Sequence, residues 1–110
     1  MISNELAWQN DVVLALVQAL IGAIPPHVDA ISIKTNLADR SVDIFFALRN
    51  ESPDDADLIE EIETDLEALT DGQVLVSSHV WVGDDWIDSW PSRQCRLVYA
   101  AKRRYNTEPE

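Results

Sequence analysis

A chain of 110 residues, 46% hydrophobic and 25% charged with a formal net charge of −12, fits one domain able to hide about 65% of its unfolded surface. It is too apolar to be disordered. The longest apolar run, VVLALVQALIGAI at 12–24, is broken by Gln18 and is too short to cross a bilayer. Asn4, Glu5 and Asp11 precede it where a secretory leader would be basic, so the expectation is a cytoplasmic protein with no membrane association. Cys95 is the one cysteine, which excludes an internal disulfide and a cysteine-based zinc site and reads as a small buried hydrophobe.

Three-to-four spacing of Leu6, Val13, Leu16, Val17, Leu20, Ile21 and Ile24 predicts a largely buried helix over 4–24, stopped by Pro25–Pro26. Two strands follow, DAISIKT and SVDIFFALR, joined by a tight connection at NLADR. In the second, Val42, Ile44, Phe46 and Leu48 alternate with Asp43, Phe45, Ala47 and Arg49. A second helix opens on a capping signature: Ser52 as N-cap, Pro53 at the first helical position and Asp55 completing Ser-x-x-Asp. Leu58, Ile62, Leu66 and Leu69 form its predicted inward stripe, and Gly72 its stop. The last strands are QVLVSSHVWV (73–82) and RQCRLVYAAKR (93–103). Residues 1–105 make the domain and 106–110 a tail.

Helix–strand–strand therefore occurs twice. The expected fold class is α+β, a two-layer sandwich with a four-stranded antiparallel sheet and two helices on one face. The other face would expose Phe45, Leu75, His79, Trp81 and Val98, more apolar surface than a free monomer normally shows. A homodimer or another partner would cover it.

Charge is sorted along the chain. Residues 50–92 carry thirteen acids and no Lys or Arg, whereas Arg93, Arg96, Lys102, Arg103 and Arg104 stand near the C-terminus. A segregated field steers oppositely charged partners and repels nucleic acid. On the second helix Asp57, Glu60 and Glu61 belong to an acidic face without an interspersed base; like charges four apart weaken a helix, so more than solubility is at stake there. The stretch GDDWIDSWPS adds Asp84, Asp85 and Asp88 beside Trp86 and Trp90. Carboxylates would pair with a partner's Arg or Lys and speed encounter, and Trp is the residue most enriched at binding hot spots. The plainer readings are a solvated helix face and a Trp pair folded over the sheet edge.

No catalytic kit is visible. His27 and His79 lack companions at triad or metal-ligand spacing, and the glycines are scattered. Asp84, Asp85 and Asp88 supply only fragments of a calcium loop. The expectation is no enzyme, no metal and no cofactor.

The base-free span ESPDDADLIEEIETDLEALTDG and the segment WVGDDWIDSW, in a small acidic α+β chain, resemble the immunity proteins of bacterial toxin systems, contact-dependent growth inhibition among them. The resemblance implies one-to-one binding to a cognate, basic toxin domain, often a nuclease, whose active site is occluded. On that reading Asp84, Asp85, Trp86, Asp88 and Trp90 make the contacts, with Asp57, Glu60 and Glu61 steering. Two alternatives share the composition: an acidic secretion chaperone that dimerises around an effector segment, and a DNA-mimic inhibitor whose carboxylates replace phosphates.

Overall fold

The computed structural model describes residues 4–50, 52–83 and 95–100. In chain order the elements are α1 (Asn4–Leu20), β1 (Val28–Asn36), β2 (Ser41–Leu48), α2 (Pro53–Leu69), β3 (Leu75–Val82) and β4 (Arg96–Ala100). Among the described residues no helix is long and apolar enough to cross a membrane.

The period-two pattern of β2 sets the core. Val42, Ile44, Phe46 and Leu48 are all buried, together with Ile31 and Ile33 of β1. Onto this face pack Val12, Leu16, Ala19 and Leu20 of α1 and Ile59, Ile62 and Leu66 of α2. Both helices thus cover one side of the sheet, as expected for two α+β layers.

The sheet itself departs from expectation. Its strand order is β3-β2-β1-β4; β1 is antiparallel to β2 and to β4, but β2 and β3 run parallel. The sheet is therefore mixed rather than antiparallel throughout, and β3 and β4 lie at opposite edges instead of forming a second hairpin. The reason is α2. A helix of 17 residues between two strands carries the chain back to the end from which the first strand started, and a strand laid down after such a crossover runs parallel to its predecessor.

Both helices are also rotated from their predicted faces. α1 stops at Leu20, not at residue 24. Gly22 takes φ +79°, the left-handed conformation that ends helices and that glycine adopts without strain. Val12, Leu16 and Ala19 turn inward, leaving Leu14, Val17, Ile21 and Ile24 exposed. With apolar residues nearly all round its surface, periodicity could not choose a face for this helix. On α2 the buried stripe is Ile59, Ile62 and Leu66; Leu58 is half-buried and Leu69 exposed. The stop at Gly72 holds: its N–H donates to Glu67 O at 2.7 Å.

Of the predicted 93–103 strand, 93–94 and 101–103 lie outside the described residues, and in β4 a register shift between Ile31 and Ser32 breaks the alternation. Leu97 is exposed, while Val98 and Tyr99 pack against the main core. Val98 therefore does not belong to the far face. On that face the small residues Ala30 and Ala47 are buried beneath half-buried Phe45 and Trp81, whereas Leu75 remains exposed. The expected tail at 106–110 lies outside the described residues.

Candidate partner-binding surface

The start of α2 is built around one buried acid. Ser52 has extended backbone and caps the helix, its hydroxyl accepting from the Asp55 N–H at 3.4 Å. Asp55 Oδ2 accepts in return from the Ser52 N–H at 3.0 Å and the Ser52 hydroxyl at 2.9 Å. The same oxygen lies 2.7 Å from His27 Nδ1, and Asp55 Oδ1 accepts from the His27 N–H at 3.2 Å. A carboxylate can only accept, so Nδ1 carries the ring proton. Burial pushes the Asp55 carboxyl up, but the hydrogen bonds from His27 and Ser52 outweigh it and hold the group below the ordinary carboxylate value. This capping box pins the helix to the loop before β1 and spends Asp55 on structure.

Every other acid of α2 points elsewhere. Asp54, Asp57, Glu60, Glu61 and Glu67 are exposed, and Glu63 and Asp65 half-buried. Among the described residues none of Asp57, Glu60 and Glu61 has a cation against it. Among the described residues the cations are engaged elsewhere or lie at the other end of the sheet. Arg49 is exposed but engaged, its Nε 3.4 Å from the buried Asp29 carboxylate and its Nη2 donating to Pro26 O at 3.0 Å. Arg40 sits in the β1–β2 turn and donates to Gln73 Oε1 at 3.2 Å. Arg96 pairs in register with Ile33, beside Lys34, and donates to Asn10 Oδ1 at 2.8 Å. Lys34, Arg40 and Arg96 therefore mark the hairpin end of the sheet, and α2 begins at the other end.

The Trp/Asp segment leaves from that second end. Val82 pairs with Leu48, and the Gly83 N–H donates to Leu48 O at 2.9 Å, a few residues before the Ser52 cap. Asp84, Asp85, Trp86, Asp88 and Trp90 themselves lie outside the described residues. Of the sequence-predicted contacts, then, Asp57, Glu60 and Glu61 share one exposed helix face, and the chain that carries the others departs from the end where this helix starts.

On the far face of the sheet, where the sequence reading placed Phe45 and His79, the structure adds contacts that it did not foresee. His79 stacks on Phe45 with ring centroids 4.8 Å apart and an interplanar angle of 19°, and its Nε2 lies 2.9 Å from Asp43 Oδ1. These residues are 36 apart in sequence, and only the parallel register, which sets Phe45 against His79, brings them together. His79 is half exposed and Asp43 37% exposed, over a half-buried Phe45.

Among the described residues a cleft of about 210 Å³ runs between Trp8, Asp11, Arg40, Thr70 and Gln73, below the roughly 300 Å³ at which ligand sites begin. Among the described residues no three His, Cys, Asp or Glu side chains gather as metal ligands would. The described part of α2 presents an exposed acidic face.

Comparison with known proteins adds an independent finding. Residues 9–88 match the family model described as MafI2 immunity protein, a span that includes Asp57, Glu60, Glu61, Asp84, Asp85, Trp86 and Asp88 and ends short of Trp90 and β4. No curated protein matches the chain.

Proposed function

The chain belongs to the MafI2 immunity protein family, and from that premise we propose that it neutralises a basic toxin domain by capping its active site with the acidic face of α2 and the adjoining Trp/Asp segment. Immunity implies a toxin as partner. The finer assignment rests on one observation above the others: the Gly83–Leu48 hydrogen bond starts the Trp/Asp segment at the end of the sheet where the acidic helix begins, a helix whose Asp57, Glu60 and Glu61 meet no cation among the described residues. A toxin that attacks nucleic acid must attract phosphates, so its cleft is positive. Asp57, Glu60 and Glu61 compete in the same field and speed encounter, while Trp86 and Trp90 slow release. Inhibition on this reading is by binding alone, in the cytoplasm, without a metal or cofactor and without contact to nucleic acid.

The test is replacement of Asp85 and Trp86 together by Ala, followed by toxin neutralisation and thermal melting. Neutralisation is expected to fall while the melting temperature stays nearly constant. Equal loss of stability and neutralisation would make the segment structural and refute its role in docking.

A further inference from the structure

We propose that the outer edge of β3 takes up an extended, Lys- and Arg-bearing strand of the toxin, which joins the sheet beside β3. The proposal rests on the immunity reading and adds the element by which the partner is held.

β3 is an end strand in the order β3-β2-β1-β4. At its two ends the Leu75 N–H donates to Arg40 O and the Gly83 N–H to Leu48 O, and the parallel register between them runs without a shift. The odd-numbered residues therefore bond inward to β2. Val76, Ser78, Val80 and Val82 turn their N–H and C=O groups outward, where they meet no partner among the described residues. Proteins ordinarily blunt such an edge with a charge, a proline or a bulge. β4, at the opposite edge, carries Arg96 and a register shift. β3, LVSSHVWV over eight residues, has no Lys, Arg, Pro or shift, and Val80 and Val82 are 41% and 51% exposed along it. An open edge of this kind binds an extended segment through main-chain hydrogen bonds.

Charge selects the segment. α2 packs on β3 and on α1, while α1 lies against Val98 and Tyr99 of β4. Leu69 of α2 faces α1 across the cleft lined by Trp8 and Val12. At about 3.6 residues per turn, Glu60, Glu63 and Glu67 fall on the opposite flank, the one that overhangs the β3 edge. Among the described residues no cation stands against them. An incoming strand meets these carboxylates on the helix side of the sheet, within reach of Lys or Arg at its alternate positions. A second copy is the wrong occupant. A two-fold contact between two β3 edges pairs them antiparallel about an axis normal to the sheet. Both α2 helices then lie on one face, with their glutamate rows turned towards each other.

Residue-resolved amide hydrogen exchange of the full chain, free and saturated with the purified cognate toxin domain, tests this. The N–H groups of Val76, Ser78, Val80 and Val82 are expected to exchange about tenfold or more slowly in the complex. Those of Ser77, His79 and Trp81, already bonded to β2, gain less. Val80→Pro removes one outward N–H and no bond to β2; it is expected to weaken toxin binding about tenfold or more at a nearly constant melting temperature. Should that variant fail to fold, Val80→Lys, which sets a cation on the edge, makes the same comparison. Glu60→Gln/Glu63→Gln/Glu67→Gln is expected to keep the exchange pattern and to bind more weakly at low salt.

Outward amides left unprotected in a complex of native affinity overturn the proposal and leave the immunity reading standing. So does their protection in the free chain at rising concentration, which would give the edge to a second copy. Unchanged affinity of the glutamine variant at low salt overturns the basic character of the strand. A native chain that does not bind the toxin at all overturns the immunity reading, and this proposal with it.

Discussion

Asp55 and His27, 28 residues apart, meet at 2.7 Å between Oδ2 and Nδ1, with the Asp55 side chain fully buried. Four hydrogen bonds to one carboxylate tie the start of α2 to the loop after the proline pair. Replacement of Asp55 by Ala removes the cap and leaves the His27 and Ser52 donors unmatched, at an expected cost of about 3 kcal/mol in urea denaturation.

The same carboxylate gives a pH signature. Its folded value is lowered, so its contribution is complete above the ordinary carboxylate value of about 3.9 and is lost as pH falls through the depressed one. The stability difference between the native chain and Asp55→Asn is expected to shrink as pH falls below about 4. A difference that grows below that pH would contradict the lowered value.

Asp43 and His79 form the same kind of pair at 2.9 Å but in the open, with side chains 37% and 50% exposed. Water already solvates both partners, so Asp43→Asn is expected to cost less than about 1 kcal/mol. The contrast with Asp55, measured in the same denaturation series, isolates burial as the source of the difference.

A side chain at Gly22 would meet nothing within 4 Å beyond its chain neighbours, yet the φ there is +79°. Space is not the constraint; the backbone is. Gly22→Ala is expected to destabilise by about 1 kcal/mol, read as a shift in the denaturation midpoint without a change in slope.

Ser78 lies on the core-facing side of β3, opposite Ile44, and its buried hydroxyl has no hydrogen-bond partner. Removing an unsatisfied buried group relieves its desolvation cost. Ser78→Ala is expected to raise stability by up to about 1 kcal/mol, and a loss of similar size would show that the hydroxyl is in fact bonded.

What could be read in advance was what depends on near neighbours. The α2 cap was legible because Ser52, Pro53 and Asp55 sit within one turn, and the β2 core face because alternation there is strict. Gly22 was overlooked as a helix stop because it lies inside an apolar run that Pro25 and Pro26 also terminate. The parallel β2–β3 pair was missed because a repeated helix–strand–strand order suggests two hairpins, although the crossover through α2 already argued for it. The His27–Asp55 and Phe45–His79 contacts join positions far apart in the chain, and no spacing rule announces them. For the candidate surface, exposure of Asp57, Glu60 and Glu61 followed from composition. The separation of Lys34, Arg40 and Arg96 from the start of α2 required the strand register.

The central claim is that uncompensated carboxylates on α2 steer the chain onto a positive partner. The most direct measurement is the association rate with the cognate toxin domain as a function of ionic strength, for the native chain and for Asp57→Asn/Glu60→Gln/Glu61→Gln. The neutralised variant is expected to associate about tenfold or more slowly at low salt, with the gap closing as salt rises and the melting temperature unchanged or higher as i,i+4 repulsion is relieved. An association rate that the three substitutions leave unaltered at low salt would contradict the account.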